Sequence, residues 1–288
     1  MSSAKPISDL RALRHCADET IQGIAWPTVA ISIGAVSGFL IAVVGAVAGV
    51  IPIWAAVLIN VVSFFVAYTG FHEATHRNYH GRLASADWLN DLFGHVLGFI
   101  MLYPFSMHSF IHLTHHSNTN DPDMDPDRWM RGRSFAKVAG RGLTLAYHYW
   151  AFTVAKKSAQ PDGARFFRRL SLEAAPSVIA LVALIAFGHW QVALVVWFGG
   201  LILAVALLGA CFDWVVHHPH DDRSLLGGTR TFLAPAGWRR VTLNWLHLFQ
   251  NYHIIHHINP RAPFYAYEGV FLKGEDFLRR AGAKVVDL

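Results

Sequence analysis

Two long stretches without charge divide the chain into alternating apolar and polar regions. No Asp, Glu, Lys or Arg occurs between residues 20 and 72, and none occurs between 174 and 212. A membrane-spanning helix needs about 20 consecutive apolar residues, so each stretch is long enough for two helices separated by a short turn. The pattern therefore predicts four spans, at about 26–49, 53–71, 174–188 and 192–212.

Composition agrees with this pattern. Of the 288 residues, 53% are hydrophobic and 15% are charged, which is typical of a membrane protein. Fully buried helices of a large soluble protein are the less favoured alternative for a chain of this length. The predicted fold class is an all-α integral membrane protein with a single domain over 1–288. Its four spans form two hairpins, and residues 73–173 and 213–288 form a helical cap.

The distribution of charge predicts the orientation. All 24 Lys and Arg residues lie in the N-terminal tail, in 73–173 or in 213–288. Under the positive-inside rule these segments face the cytoplasm, so we expect a multi-pass protein of a bacterial-type inner membrane with its cap on the cytoplasmic face. The formal net charge of +5 suits contact with anionic lipid headgroups of the bilayer. Basic and aromatic residues do not alternate in a nucleic-acid-binding pattern, so no nucleic acid is expected as a partner.

Histidines recur in three short boxes where apolar stretches give way to charge. They follow the patterns HxxxH from His72, HxxHH from His112 and HxxHH from His253. Helix positions i, i+3 and i+4 share a face, so each HxxHH box is predicted to aim three imidazoles at one spot. Crowded imidazoles repel one another when protonated, whereas a transition metal binds them in the neutral form. The repeated spacing therefore predicts metal binding rather than chance clustering.

The number of histidines favours two metal ions. His217 leaves the fourth predicted span as His72 leaves the second, which brings the candidates on one membrane face to nine. Zinc takes about four ligands, so nine imidazoles are too many for one metal, whereas two metals with four or five each would use all of them. Such a site keeps open positions for an exogenous ligand such as O2. The candidate ligands are His72, His76, His112, His115, His116, His217, His253, His256 and His257. For His80, His218 and His220 we expect hydrogen-bonding or interfacial roles.

Carboxylates near the boxes are candidates for orienting the ligands, because a metal-bound imidazole usually donates its second N–H to such a group. Glu73 adjoins His72, and Asp213 precedes His217 by one helical turn. The run from Asp121 to Asp127 follows the second box, and either its carboxylates anchor that box or it forms a solvated loop. It is not an EF-hand, because Pro126 and Gly132 occupy the positions that require Gly and Glu.

Two other functions compete with an oxygen-binding centre. His72-Glu73-Ala74-Thr75-His76 matches the HExxH motif of zinc proteases, in which the glutamate is the general base. That interpretation leaves both HxxHH boxes unexplained. A metal carrier is the second alternative, although such proteins more often have low-complexity histidine tracts than boxes of fixed helical spacing.

The box series resembles the membrane fatty acid desaturase and hydroxylase superfamily. The segments HEATHRNYH, HLTHHSNTNDPDMDPD, FDWVVHHPH and NYHIIHHINPRAPFYAY are most similar to the β-carotene hydroxylases of the cyanobacterial, desaturase-like type. The resemblance covers about residues 60–270. Many acyl-lipid desaturases have Gln at the first position of the third box, where this chain has His253.

The resemblance implies a chemistry and its partners. It implies two iron ions, cycling between Fe2+ and Fe3+, that use O2 to oxidise an unactivated C–H bond of a lipophilic substrate. For a carotenoid the expected reaction is C3 ring hydroxylation of β-carotene towards zeaxanthin; the alternative is an acyl-lipid desaturase or fatty acid hydroxylase. The sequence has no flavin, haem or dinucleotide motif, so electrons are expected from an external donor such as ferredoxin. Arg128, Arg131, Arg133 and Lys137 form either its landing surface or a lipid-facing patch.

Overall fold

The structure is a computed structural model and describes residues 7–288, apart from the side chain of Phe135. The described chain is mostly helical. In chain order the helices are α1 (Leu10–Asp18), α2 (Trp26–Val47), α3 (Ile53–Thr75), α4 (Trp88–Ile100), α5 (Phe105–Ser117), α6 (Phe135–Lys157), α7 (Gly163–Ala186), α8 (Val192–His217), α9 (Trp238–Leu246), α10 (His253–Ile258) and α11 (Tyr267–Arg280). Two strands, β1 (Arg230–Leu233) and β2 (Lys284–Asp287), complete the fold.

Four helices are long and apolar enough to cross a membrane, namely α2, α3, α7 and α8. They coincide with the four spans that the sequence predicts. The main difference is that α7 begins at Gly163, well before residue 174. Its first turns carry Arg165, Arg168, Arg169 and Glu173, so the helix starts in a charged segment and continues without a break into the apolar one. Hydropathy locates the apolar part of such a helix but not its beginning.

The helix α8 is not regular throughout. Its backbone is π-helical over Val192–Gly199 and again over Gly209–Trp214, with α-helix between them. π-helical turns inside longer helices are frequently found at functional sites. The second π-helical segment ends three residues before His217.

The spans pack tightly on one another and on α4. The amide of Asn60 on α3 donates to the carbonyl of Val196 on α8 at 3.1 Å. The indole of Trp197 donates to the carbonyl of Ile100, at the end of α4, at 2.6 Å. Phe64 and Phe71 of α3 are fully buried in the same apolar core. These contacts tie α3 to α8 and the first turns of α8 to the end of α4.

The pair α4 and α5 is sharply bent. The helices from Ala84 to Ile100 and from Phe105 to Ser117 meet at 104°, and together they are apolar enough for a broken span or a re-entrant loop. Pro104 precedes α5, and Leu102 has a left-handed backbone with φ of 50°. Proline has no N–H to continue α4, which explains where that helix ends. The bend directs α5, which carries the second histidine box, towards the ends of α3 and α8.

The C-terminal part forms a second core. Leu13 of α1 packs with Tyr252, Phe264 and Phe271, all of them fully buried. The strands β1 and β2 pair in parallel over four residues each, from Arg230 opposite Lys284 to Leu233 opposite Asp287. This sheet departs from the all-α prediction. Four-residue strands have too short an alternation of polar and apolar positions to be recognised from a sequence.

Candidate metal centre

Four elements far apart in the sequence bring the nine predicted histidines together. Box one lies on the last turn of α3 and just after it, and His217 is the last residue of α8. Box two lies near the end of α5, and box three forms most of the short helix α10. All nine side chains are buried or partly buried. The structure divides them into two groups.

The first, called here the five-histidine group, contains His72, His76, His112, His116 and His256. Its contacts join Nε2 atoms. His72 and His256 are 2.9 Å apart, His76 and His112 are 2.9 Å apart, and His116 lies 2.7 Å from His256. Nitrogens about 2.1 Å from a shared ion and at right angles to each other are about 3 Å apart, so these separations are compatible with one ion inside the group.

The second, called here the four-histidine group, contains His115, His217, His253 and His257. The Nε2 atom of His253 lies 3.1 Å from that of His217 and 3.2 Å from that of His257. His115 and His257 are 3.4 Å apart. The groups adjoin each other, since the rings of His116 and His257 have centroids 4.6 Å apart.

The two HxxHH boxes do not each aim at one spot, contrary to the sequence prediction. In each box the residues at i and i+4 join one group and the residue at i+3 joins the other. His112 and His116 belong to the five-histidine group and His115 to the other, whereas His253 and His257 belong to the four-histidine group and His256 to the other. Residues i+3 and i+4 differ by about 100° around a helix, which is enough to direct adjacent imidazoles at different centres.

Two histidines have their tautomer fixed by acceptors on the other side of the ring. His115 donates from Nδ1 to Asp125 at 2.9 Å, and His217 donates from Nδ1 to the carbonyl of Gly228 at 3.1 Å. A neutral imidazole protonated on Nδ1 has an unprotonated Nε2. Both Nε2 atoms face the middle of the four-histidine group, where each imidazole in its neutral form offers a lone pair to a metal ion. Burial alone would lower the pKa of His115, but the Asp125 and Asp127 carboxylates raise it to about 9, so this imidazole would release a proton when a metal binds. The donor set therefore fits a metal ion.

Further Nδ1 partners orient the third box. His253 faces the side-chain oxygen of Gln250 at 2.7 Å, and His256 faces the hydroxyl of Tyr267 at 3.0 Å. Burial lowers the pKa of His253, His256 and His257 well below the usual range, with neighbouring imidazoles acting in the same direction. These side chains are therefore neutral near pH 7 and need not lose a proton to bind a metal.

Of the two carboxylates discussed next, Asp125 orients a histidine as predicted and Asp213 does not. Asp125 anchors the second box as predicted: it accepts from His115 and, through its other oxygen, from the backbone N–H of Asn120 at 2.6 Å. The prediction for Asp213 is wrong, because Gly228 takes its place at His217. The second π-helical segment of α8 includes Asp213, which lies beside Asp127 and Tyr149 instead.

Glu73 is fully buried, and its carboxylate accepts hydrogen bonds from Asn78 and from the C-terminal segment that follows box three. Its oxygens accept from the amide of Asn78 at 3.3 Å and from the backbone N–H of Phe264 at 3.2 Å, while His72 Nδ1 is 3.8 Å away. A carboxylate held in this way is not placed as the general base of a zinc protease. It ties the end of α3 to the segment that follows box three.

Four other histidines lie close to the candidate ligands along the chain but belong to neither group. His80 accepts at Nδ1 from Asn90 at 2.8 Å, so its predicted hydrogen-bonding role is confirmed. His218 is half-buried beside Trp214. His220 is buried, and neither of its ring nitrogens has a partner among the described residues. His108 is isolated in the sequence, which predicts a hydrogen-bonded or surface histidine, but it is buried. It precedes His112 by one helical turn and stacks on it with ring centroids 5.6 Å apart.

An apolar cavity of about 370 Å³ reaches the five-histidine group at His112. It is enclosed mainly by α5, α6 and α8. Most of its wall is aliphatic or aromatic, but Asp127, Asp213 and Tyr149 line one part of it. The hydroxyl of Tyr149 donates to Asp127 at 2.7 Å. This is the shape and chemistry of a binding site for a lipophilic molecule.

Two polar clefts lie beside the groups. The smaller, about 320 Å³, is lined by His116 and His257, one histidine from each group, and by Arg223, which pairs with Asp121 at 2.8 Å. The larger, about 580 Å³, is called here the basic cleft; its basic lining is Arg128, Arg131, Arg133, Lys137 and Arg141. Asp125 also lines the basic cleft, so that surface is one side chain away from His115.

The chain is similar in sequence to known proteins. The family model described as fatty acid desaturase matches residues 48–287. The sn-1 oleoyl-lipid 12-desaturase of Anabaena variabilis is 26% identical over 243 residues, which cover 74% of this chain and 68% of the relative. A fatty acid desaturase of Bacillus subtilis is 25% identical over 232 residues, or 69% of this chain and 61% of the relative. The match to the sn-1 oleoyl-lipid 12-desaturase of a Picosynechococcus strain, 27% identical, spans only 35% of that relative.

Proposed function

Because the chain belongs to the fatty acid desaturase family, we propose that it is a membrane oxidoreductase that uses two iron ions and O2 to oxidise a C–H bond of a lipophilic substrate. The family is iron-dependent. The observation that carries the proposal is the convergence of nine imidazoles into groups of five and four, with Nε2 atoms facing one another. The zinc protease and the metal carrier are no longer proposed.

The five-histidine group would hold one iron and the four-histidine group the other. Iron held by these histidines would supply the redox chemistry for reducing O2. In a hydroxylation, one oxygen atom enters the C–H bond and the other leaves as water, with two electrons and two protons consumed. In a desaturation, two hydrogens leave the substrate and both oxygen atoms become water for the same two electrons and two protons.

Two side chains and a backbone carbonyl of this chain orient three of the proposed metal ligands. Separate cavities lead to the histidine groups from different directions. Asp125, Gly228 and Gln250 fix the orientation of three ligands through Nδ1. The apolar cavity brings a lipophilic molecule to His112 and keeps bulk water from that side of the group. The smaller polar cleft reaches His116 and His257 from another direction, which gives protons a route that does not cross the substrate.

We propose C3 ring hydroxylation of β-carotene towards zeaxanthin as the specific reaction. It is supported by the segments HLTHHSNTNDPDMDPD and FDWVVHHPH, and by an apolar cavity with a polar part at the histidines. The second candidate is desaturation or hydroxylation of an acyl lipid. It is favoured by the names of the relatives, which include the oleoyl-lipid and other fatty acid desaturases.

Electrons are proposed to come from a soluble donor of the ferredoxin kind on the cytoplasmic side. The basic cleft presents five Arg and Lys side chains to an acidic protein surface, which suits electrostatically steered docking. A contact with lipid headgroups is the alternative for the same residues. We further propose that the spans form two hairpins and that the cap faces the cytoplasm, as the positive-inside rule predicts.

The test is expression in cells that accumulate β-carotene, with pigments analysed by chromatography and mass spectrometry. Hydroxylated carotenoid should form with the native chain and disappear in His256→Ala, which removes a member of the five-histidine group. His15→Ala, at an exposed site on α1, is the matched control and should keep the activity. Unchanged pigment with iron-loaded protein would reject the carotenoid substrate, and lipid profiling would then test the acyl-lipid alternative.

A further inference from the structure

The apolar cavity has two different ends. At its outer end lie Leu143 and Tyr147 of α6 and Phe198 of α8, which are 52%, 76% and 48% exposed. Because α8 is a membrane span, an apolar opening beside it faces the hydrocarbon of the bilayer. The cavity is therefore open towards lipid.

The helix α6 continues that lipid-facing surface. Its large exposed apolar residues are Leu143, Tyr147, Trp150 and Val154, which recur at intervals of three and four and so form one stripe. Beside the stripe, Gly142 packs closely on the fourth span: a Cβ at Gly142 would lie 3.0 Å from Ala206 Cα. An apolar stripe that continues from a span is expected to lie in the membrane interface. The opening lies between this stripe and α8.

The inner end of the cavity is polar and adjoins the histidines. His108 and Tyr103 both line it, and neither His108 Nε2 nor the Tyr103 hydroxyl has a partner among the described residues. His108 is 2% exposed. A buried polar atom without a partner is costly, so these two atoms favour a ligand that brings an oxygen to them.

We propose that a long apolar molecule enters this cavity end-on from the bilayer, between α6 and α8, and that its terminal segment is the part oxidised. The terminus of the molecule would lie beside His112. A terminal oxygen substituent, or the newly formed hydroxyl, would be hydrogen-bonded to His108 Nε2 and to the Tyr103 hydroxyl. This inference rests on the proposed function and deepens it. It favours substrates attacked near an end, such as a terminal ring, over those attacked in the middle of a chain.

Oxidation in mid-chain has a different requirement. The distal part of the chain must continue past the metal centre through apolar space. Here Asp127, Asp213 and Tyr149 line the same cavity as His112, and burying hydrocarbon against the two carboxylates leaves part of their hydrogen-bonding capacity unused. The polar wall therefore marks an end rather than a passage.

The direct test needs no turnover. Two isomeric long-chain hydrocarbons, one with a photoreactive diazirine at its terminus and one with the diazirine at its centre, are incorporated into vesicles with the full-length iron-loaded protein. After irradiation, labelled peptides are mapped by mass spectrometry. The terminal probe should label 103–112 and the central probe 143–150. The reverse distribution, equal labelling of both segments, or labelling confined to lipid-facing surfaces outside the cavity would overturn the proposal.

Closing the opening provides a matched pair of variants. Ala146 lines the cavity at an exposed position, and Ala151 is exposed on the same helix but does not line it. Ala146→Trp should reduce terminal labelling of 103–112 by about tenfold, since a large side chain then fills the entrance, whereas Ala151→Trp should not. Equal labelling in both variants would contradict entry at this place.

The position of oxidation separates this inference from the proposed function. If homologous substrates of increasing length are offered, end-on binding predicts oxidation at a constant distance from the inserted terminus. A constant distance from the opposite end would reject end-on binding while leaving the oxidation chemistry intact. Absence of any oxidised product would count against the proposed function, and the photolabelling pattern would still decide the direction of entry.

Discussion

At the residue scale, the candidate metal centre depends on groups that bond the Nδ1 atoms of its imidazoles. The two carboxylate oxygens of Asp125 accept hydrogen bonds from three N–H groups, those of His115, Asn120 and Asp127. It therefore fixes the orientation of a candidate ligand and the path of the loop after the second box together. A neutral amide at this position would place an NH2 group against one of those donors.

Asp125→Asn is expected to weaken metal binding by about 10–100-fold, the usual effect of losing an orienting partner. The measurement is Fe2+ affinity by competition with a chelator, together with iron content after purification. Asp123→Asn is the matched control, because Asp123 is exposed and its side chain bonds none of the histidines. Equal affinity in the two variants would show that Asp125 does not orient His115.

The nine candidate ligands predicted from the sequence are the nine histidines that converge. Eight of them lie in boxes of local spacing, whereas His217 was included because it follows the fourth span as His72 follows the second. The sequence did not identify the acceptor for His217, because that acceptor is a backbone carbonyl, at Gly228, and a backbone atom leaves no residue-type signal. The contacts of Gln250 and His108 could in principle have been predicted from spacing, because Gln250 lies at i−3 from His253 and His108 at i−4 from His112. Single polar residues on an apolar face are common, however, so spacing alone did not distinguish them.

At the scale of elements, the end of α3 is positioned by close helix packing. Gly70, one residue before Phe71 and two before His72, lies where α2, α3 and α4 approach one another. A Cβ at this position would overlap the Ser32 hydroxyl, and it would lie 2.7 Å from the Tyr79 hydroxyl and 2.9 Å from Leu97. Ser32 and Tyr79 are themselves hydrogen-bonded at 2.5 Å. The glycine allows three elements to meet beside the first histidine box.

Gly70→Ala should therefore destabilise the protein by about 1–3 kcal/mol, because the added methyl group forces its neighbours apart. Gly34→Ala is the control, since a Cβ on Gly34 of α2 would meet nothing within 4 Å. The midpoint of thermal unfolding in detergent should fall in the first variant and stay unchanged or rise in the second. Equal midpoints would show that the helices adjust to a methyl group at no cost.

The elements also show what sequence patterns can and cannot predict. All four spans were found, because about 20 apolar residues in succession give a strong signal. The early start of α7 was missed, because helix continuation through charged residues does not depend on hydropathy. The π-helical turns of α8 and the division of each HxxHH box depend on packing against other helices, so they have no local signature.

At the scale of the whole molecule, three separate approaches lead to one centre. The apolar cavity opens towards lipid and reaches His112, the smaller polar cleft reaches His116 and His257, and the basic cleft ends at Asp125. A lipophilic substrate and a water-soluble reductant therefore need not share a path. This separation is useful only if the polar clefts face the compartment that contains the electron donor.

The orientation can be tested with single cysteines in a chain whose Cys16 and Cys211 are replaced by Ala. Val50, 76% exposed in the turn between α2 and α3, and Gln160, exposed between α6 and α7, lie on opposite sides of the membrane under the proposed topology. A membrane-impermeant maleimide should label Val50→Cys in intact spheroplasts and Gln160→Cys only after lysis. Gln191→Cys, in the turn before α8, should behave like Val50→Cys. The opposite pattern would place the basic cleft and the smaller polar cleft outside the cell, away from cytoplasmic reductants, and would contradict the positive-inside assignment and the proposed donor together.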